Sequence, residues 1–339
     1  MDLATHAVAG LLVARTRAAW VGRAEPAAVL VAASLLPDID MVVVVVDPTR
    51  AALLRHTLTH SLVVMPALAA GFALLARGAG GRDGFVATFL LAATGMAVHV
   101  ALDLLNAYGV LLFYPLSEAR IDLGLLFVID PVFTGILAGG LGLSFWPSDR
   151  HRMLVARLAV LLAVSHIGVA ALLRDRAAEM LAANASGLVV GLVPEPLAPW
   201  HWRGIAAHPG GYDQFAIRPV AGRILALPPV ASASTEPAVA VVRRSALPWG
   251  LDAFLRAPVW RVDGSRVTVH DLRFRFSNLG NDWDPFDFSF DVVDQPEVGT
   301  RLVGTTLGER IARSLATLSA IAAAKRGLTD AGDRENSHR

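Results

Sequence analysis

The first half of the chain alternates between long apolar segments and short polar or glycine- and proline-rich connections. Before about residue 175 there are six apolar segments: Leu3–Ala14, Ala27–Val46, Ser61–Ala76, Phe85–Leu105, Pro131–Phe145 and Met153–Leu173. Several approach the roughly 20 residues that a helix needs to cross a bilayer. The first, third and fifth are short, so we expect some of them to tilt, to re-enter or to be shielded by neighbours. This pattern predicts a multi-pass α-helical membrane domain over residues 1–178.

The pattern changes after about residue 184, where proline and glycine increase and short alternating runs follow one another. Runs such as FAIRPV, RVTVHDLRFRF and FDFSFDVV are typical of strands. We predict a small β-rich soluble domain over 184–306, then a helix and a disordered tail over 307–339. The first apolar segment has no basic region ahead of it, so we expect it to be retained and not cleaved as a signal peptide.

Composition agrees with a chain that is half membrane and half soluble. Hydrophobic residues make up 54% of it and its mean hydropathy is +0.52, which is too apolar for a soluble domain. The net charge of +1 excludes the basic surface on which nucleic-acid binding depends, so the expected partner is the bilayer. Cysteine is absent, so histidine and carboxylates are the only strong metal ligands available.

Polar residues interrupt the apolar half at regular places. If the six segments run as alternating antiparallel helices, these residues all fall at the same end, whereas scattered polar residues would divide between both ends. They are His6, Asp38, Asp40, His56, His60, His99, Asp103 and Asp130. The order of the segments therefore predicts one polar site at that end of the bundle.

The spacing of these residues indicates a metal site. His56 and His60 are four residues apart, as are His99 and Asp103, so on a helix each pair would project from one face. Imidazole and carboxylate together suit zinc, manganese or iron. A bound divalent cation would also explain charged groups at a depth where a bare charge costs several kcal/mol.

Asp38 and Asp40 follow Pro37 and are two residues apart, so the helix must be irregular there or one carboxylate must face elsewhere. A different interpretation is that both aspartates pair with Arg50 or Arg55 in a purely structural network. Asp130 precedes a proline and is as well explained by an N-cap as by a ligand role.

Other histidines have simpler interpretations. We expect His166 to be a packed residue with one hydrogen bond, lying away from the level of the ligands. His201 fits an aromatic belt at the membrane interface. We expect His151 and His270 to be on the surface.

At these residues the chain resembles a known family. The stretches THAVAG, LLPDID, THSL and HVALDLLNAYGVLLFYP, between Thr5 and Pro115, resemble the YdjM-like family of bacterial membrane-bound metal-dependent hydrolases. The resemblance covers roughly the first 135 residues and maps the family's ligand pattern onto His6, Asp38, Asp40, His60, His99 and Asp103. Family members often have His-Arg-Gly-x-Thr-His, whereas Arg55 and His56 stand here in the opposite order, which makes His56 the least secure ligand.

The family is in turn distantly similar to zinc-dependent phospholipase C, an all-helical hydrolase that gathers histidine and aspartate around zinc. The resemblance implies hydrolysis of a phosphoester in a lipid or lipid-linked substrate, with a metal-activated water. Asp38 or Asp40 would act as the base. Arg55 and Arg120 are the nearest candidates for holding a phosphate.

Three classes of function remain open. A membrane-embedded metal hydrolase explains why the ligand candidates share one level. A divalent metal-ion transporter or channel would also use intramembrane carboxylates and histidines, although its polar residues should continue to the other end. A structural membrane protein would leave the paired spacing unexplained.

Arginine distribution predicts the orientation in the bacterial inner membrane. The end opposite the ligands carries seven arginines in its connections and the ligand end five. Because the side richer in Lys and Arg faces the cytoplasm, we expect the ligand end and the C-terminal domain to be extracytoplasmic.

Overall fold

The structure, a computed structural model, describes residues 1–17, 20–21, 23–43, 51–78, 83–145, 148–245, 250–275, 288–292 and 300–303. The first part of the chain is helical. Its α-helices are α1 (Leu3–Arg15), α2 (Ala24–Leu35), α3 (Ala51–Leu54), α4 (Met65–Gly78), α5 (Phe85–Leu104), α6 (Pro131–Leu143) and α7 (Asp149–Asn184), with 3₁₀ helices at Pro37–Met41 and Leu58–His60. The helix and tail predicted over 307–339 lie outside the described residues.

The second predicted segment is not one continuous helix. α2 ends at Leu35, and a 3₁₀ helix carries Asp38 and Asp40 immediately after it. Pro37 explains the break, because proline has no N–H to donate and its ring clashes with the preceding turn. The predicted irregularity is confirmed, and residues 44–46, at the end of the predicted segment, lie outside the described residues.

The third segment also begins later than predicted. α4 starts at Met65, and the backbone N–H of Leu62 donates to the carbonyl of Leu112 at 2.9 Å. The chain just before α4 is therefore also anchored to the loop after α5. His56 and His60 precede α4 and do not share a helix face, which corrects the prediction made from their spacing.

Two glycines allow α2 to pack closely against both α1 and α5. A Cβ at Gly10 would lie 2.5 Å from Ser34 Oγ, and one at Gly95 would lie 2.8 Å from the Leu30 carbonyl oxygen. Both distances are shorter than van der Waals contact, so any larger residue would separate the helices. This packing brings the ends of the three helices together on one side.

Two helices, α5 and α7, are long and apolar enough to cross a membrane. Helices α1, α4 and α6 are apolar but shorter than a bilayer requires. Large apolar side chains on the outer faces of α4, α5 and α7 are exposed, Leu75, Val86 and Leu172 among them. Such surfaces are uncommon on soluble monomers and are typical of contact with lipid or a partner.

The C-terminal half is β-rich, as the alternating runs predict. One antiparallel sheet contains β1 (Leu188–Pro194), β2 (Trp202–His208), β3 (Gly211–Arg218) and β4 (Arg223–Ala231), paired in chain order. The second contains β5 (Pro258–Asp263), β6 (Arg266–Asp271), β7 (Phe288–Val292) and β8 (Thr300–Val303), also in chain order. Helices α8 (Pro237–Arg244) and α9 (Leu251–Phe254) lie between the sheets in sequence.

Helix α7 joins the two halves. It continues beyond the predicted end at Leu173, and Ala177 and Leu181 pack against Trp202 and Ile217 of the first sheet. Phe254 at the end of α9 and Phe274 just after β6 pack in the core of the second sheet, and both contact Tyr108 after α5. The β-rich half therefore lies directly over the loop that follows α5.

Candidate metal centre

Four histidine rings surround the carboxylate of Asp103. Its Oδ2 lies 3.2 Å from His60 Nε2, 3.1 Å from His99 Nε2 and 3.6 Å from His56 Nε2. Its Oδ1 lies 3.3 Å from His6 Nε2 and also contacts the amino group of Met1. All five side chains are buried. Residues from three separate stretches of the chain thus meet at one point, as the alternating arrangement of the segments predicts.

These separations fit ligands that share one ion. At Zn–N and Zn–O distances of about 2.0–2.2 Å, two tetrahedral ligand atoms lie roughly 3.3 Å apart. Asp103 Oδ2, both ring nitrogens of His6 and Nδ1 of His56 have no hydrogen-bond partner among the described residues. A buried polar atom without a partner costs about 1–3 kcal/mol, and a coordinated cation would compensate this cost. The residues present therefore fit a metal ion.

The potential ligand atoms form two overlapping sets, and within each set they lie within 4.8 Å of one another. One set is Asp38, His56, His60 and Asp103, and the other is His6, Asp38 and His99. Asp38 belongs to both. The sets contain six of the seven predicted ligands, and the seventh, Asp40, lies beside them.

Asp40 orients its neighbours. Its Oδ2 accepts the backbone N–H of His56 at 2.8 Å, lies 3.4 Å from the Thr59 hydroxyl and lies 3.4 Å from His60 Nδ1. Hydrogen bonds of this kind to the far nitrogen of a metal-ligating histidine fix its ring orientation. Asp38 and Asp40, two aspartates separated by one residue, thus have different positions in the centre.

His99 is oriented by the backbone of α2. Its Nδ1 lies 2.7 Å from the Ser34 carbonyl oxygen, so this nitrogen donates and Nε2 carries the lone pair in the neutral ring. Nε2 faces Nε2 of His60 at 3.0 Å. Two facing lone pairs repel unless a proton or a cation lies between them. The His6 ring stacks on His99 with ring centroids 3.7 Å apart.

Arg55 pairs with both aspartates. Its Nη2 donates to Asp38 Oδ1 at 2.9 Å, and its Nε donates to Asp40 Oδ1 at 3.4 Å. The ion pairs considered as a structural alternative are therefore present, beside the histidines, whereas Arg50 lies outside the described residues. Three carboxylates face Arg55 and the Met1 amino group, which leaves surplus negative charge at the centre.

A profile of the YdjM inner membrane protein family matches residues 1–176, which is more than half of the 339 residues. The chain belongs to this family. The match contains the complete histidine and aspartate centre and ends within α7. Searches of curated proteins and of solved structures gave no match.

The exposed apolar faces of α4, α5 and α7 agree with the membrane setting of the YdjM family. The window of α7 with a mean hydropathy of 2.0 is only 28% buried within the protein. An apolar helix that is so little covered requires lipid or another apolar partner. The helical half is therefore suited to the membrane that the family name specifies.

The predictions for Asp130 and His166 have different outcomes. Asp130 is the N-cap of α6, because its Oδ1 accepts the Phe133 N–H at 2.8 Å. His166 is buried as predicted, but its Nε2 lies 3.4 Å from Asp130 Oδ1, so the expectation that it lies away from the ligand end is wrong. The reason is the length of α7, whose 36 residues place His166 near its middle.

The prediction of a surface position for His270 is wrong. His270 is only 4% exposed, because β6 is an inner strand between β5 and β7. His151, predicted likewise, is half-buried at the start of α7. His201 lies just before β2 and is half-buried, and its predicted place in an interface belt stays a prediction.

Arg120 holds the backbone around the centre. Its guanidinium donates to the carbonyls of Leu53 at 2.5 Å, Gly109 at 3.3 Å and Arg55 at 3.4 Å. Because the Nη atoms of Arg120 donate to these backbone carbonyls, Arg120 does not have the phosphate-holding position predicted for it. Tyr108 contacts the edge of the His56 ring at 4.6 Å between centroids.

Sequence reasoning missed two such supports. Ser34 acts through its backbone carbonyl, which every residue possesses, and Tyr108 acts through a loop conformation. No sequence motif marks either of them.

Proposed function

We propose that this chain is a membrane-bound, metal-dependent hydrolase whose centre holds zinc. The ligands are His60, His99, Asp103 and Asp38, with His6 and His56 beside them. The observation that carries this proposal is the convergence of four buried histidines on Asp103, with separations of 3.1–3.6 Å. Buried ion-pair networks without a metal rarely leave so many nitrogens and oxygens without hydrogen bonds.

The residues divide into ligands, orienting groups and a base. A bound divalent cation supplies Lewis-acid activation of water and of a phosphoryl oxygen. Asp38 belongs to both ligand sets, which makes Asp40 the better placed of the two predicted bases. Arg55 is 22% exposed at the edge of the centre, so it can meet an anionic substrate there.

The substrate we propose is a phosphoester in a lipid or lipid-linked molecule. Apolar side chains next to the ligand-bearing segments are exposed, notably Ile39, Met41, Leu58 and Leu62. An apolar rim beside a carboxylate and histidine centre suits a substrate with an acyl or prenyl part and a charged head. We further propose that the helical half crosses the inner membrane several times, with its short helices shielded by α5 and α7.

Metal analysis of the purified full chain tests the centre. We expect stoichiometric zinc in the wild type and loss of most of it in His60→Ala, because His60 contacts both His99 and Asp103. His166→Leu is the matched control: it removes a buried histidine that belongs to neither ligand set, so metal content should stay unchanged. The two ligand sets share Asp38, so they could hold one ion or two. The number of zinc ions per chain in the same analysis distinguishes these cases.

Two results would overturn the proposal. The first is a wild-type protein that carries no metal, does not bind added zinc and is not stabilised by it. The second is metal loss in His166→Leu equal to that in His60→Ala.

An activity assay tests the hydrolase part of the proposal. Reconstituted protein should release the head group of a phosphoester lipid, and a chelator should abolish this release. Zinc flux into vesicles without hydrolysis would favour the transporter instead.

A further inference from the structure

A second polar cavity lies away from the histidine centre, where the helical and β-rich halves meet. It has a volume of about 350 Å³ and is bordered by the C-terminal turns of α7, by β1 and by the loop after α5. The charged residues that line it are Asp122, Arg174, Arg256 and Arg273. None of them belongs to either metal-ligand set.

Two of the three arginines are neutralised by acids. Arg256 pairs with Asp122 at 2.5 Å, and Arg273 pairs with Asp271 at 3.0 Å. Arg273 also donates to the carbonyl oxygen of Phe254 at 2.6 Å, so its guanidinium is fully engaged. The lining therefore carries one positive charge in excess, and that charge belongs to Arg174.

Arg174 lines this cavity, and one of its donor atoms is buried there. Its Nε is buried and makes no hydrogen bond with any described residue. A buried donor on a charged group without an acceptor is costly, so an acceptor supplied by a ligand would lower the free energy of this arrangement.

The position of Arg174 along α7 indicates where the ligand comes from. It directly follows Leu173, the last residue of the apolar run, and Leu172 before it is 72% exposed. The cavity is therefore level with the end of the apolar surface, where a lipid head group would lie. Its other wall is the edge strand β1, whose outer backbone groups have no strand partner among the described residues.

We propose that this cavity binds a phosphate group, with Arg174 as its cationic contact and Arg256, which stays paired with Asp122, beside it. Arginine is the side chain best matched to phosphate oxygens, and a volume of this size accommodates a phosphate together with a small attached group. The phosphate belongs either to a soluble ester or to a lipid head group. This site does not depend on the proposed hydrolysis, because its residues are separate from the metal ligands.

Binding to the purified full chain in detergent tests the proposal, with inorganic phosphate and short-chain phosphatidic acid as separate probes. We expect Arg174→Gln to weaken binding of at least one probe by about tenfold or more, which corresponds to the loss of one charge-assisted contact. Arg176→Gln is the matched control, since Arg176 is exposed on the same helix and does not line the cavity. Arg256→Gln, at a side chain that is 38% exposed, provides a second variant that retains the buried Arg174.

The two probes separate the sources. Binding of both supports a site for the phosphate group itself, and binding of phosphatidic acid alone supports a lipid head-group site. Absence of binding to the wild type, or equal weakening by Arg174→Gln and Arg176→Gln, would overturn the proposal. His60→Ala should bind the probe as the wild type does, and Arg174→Gln should keep its metal, so failure of one proposal is distinguishable from failure of the other.

Discussion

His56 shows at the scale of one residue how a ligand position can survive a change in local sequence. Its φ of 58° lies in the left-handed region, which costs a non-glycine residue roughly 1–2 kcal/mol. Two backbone hydrogen bonds offset this cost, from its N–H to Asp40 and from the Leu111 N–H to its carbonyl oxygen. This turn directs the ring to Asp103 and leaves Arg55 to the aspartates, so reversing the Arg-His order does not remove the histidine from the cluster.

His270 in β6 should make stability depend on pH. Burial, together with the charges of Arg261 and Arg275, lowers the pKa of His270 from 6.5 to about 4. Between pH 6.5 and about pH 4, His270 is therefore protonated in the unfolded chain but not in the folded chain. Protonation thus favours the unfolded state, and the free energy of unfolding falls as the pH drops through this range. At about 1.4 kcal/mol per pKa unit, the loss approaches about 3 kcal/mol and levels off near the lower value.

Comparison with His270→Gln measures this loss, because glutamine keeps a polar side chain but does not titrate. In chemical denaturation we expect the free energy of unfolding of the wild type to fall by about 3 kcal/mol more than that of the variant between neutral pH and about pH 4. Parallel pH profiles for the two proteins would contradict the assignment.

At the scale of elements, close packing of α5 against α2 positions His99. A Cβ at Gly95 would lie 2.8 Å from the Leu30 carbonyl oxygen and 2.9 Å from Ala33 Cβ. His99 lies one turn after Gly95 on α5. Gly95→Ala should push α5 away from α2 and so lengthen the hydrogen bond from His99 to the Ser34 carbonyl oxygen. We expect a loss of about 1–3 kcal/mol in stability and weaker zinc binding.

Gly71→Ala in α4 is the matched control, because a Cβ there meets nothing within 4 Å. Alanine in an open helical position should raise stability by up to about 1 kcal/mol and leave zinc binding unchanged. Thermal unfolding and zinc titration measure both effects. Unchanged zinc affinity in Gly95→Ala would show that this contact does not position His99.

At the scale of the whole molecule, the β-rich half covers the loop that supports the metal centre. Phe254 contacts Tyr108, whose ring touches His56, and Arg256 pairs with Asp122 on the same loop. The centre is therefore closed on this side by the second half of the chain, outside the part matched by the family profile. The β-rich half and the metal centre therefore lie at the same end of the helical half.

Single cysteines test the orientation, since the natural sequence contains none. Arg150 lies in the first turn of α7 and Arg223 is the first residue of β4, and both are exposed. The majority of arginines at the Arg150 end predicts that this end is cytoplasmic. In intact cells we therefore expect an impermeant maleimide to label Arg223→Cys but not Arg150→Cys, and the reverse labelling would place the centre at the inner leaflet.

Much of the site was predictable from sequence because it depends on chain order. Apolar segments that alternate in direction return polar residues to the same end, and this argument needs no coordinates. It selected all six residues of the two ligand sets. The strands were predictable for a similar reason, since alternation with a period of two describes one local geometry.

The sequence by itself determined which residues meet, through hydrophobic pattern and the order of the helices. The tertiary structure alone decided how they meet: that Asp38 faces the ligand sets while Asp40 orients His56, that Arg120 serves backbone carbonyls, and that His270 is buried. These distinctions depend on shifts of a few ångströms, set by contacts such as Gly95 against Leu30 that join distant parts of the chain. The hydrophobic pattern of one helix does not predict such contacts. A sequence with the same periodicity but a larger residue at Gly95 would form the same helices at a greater distance from each other.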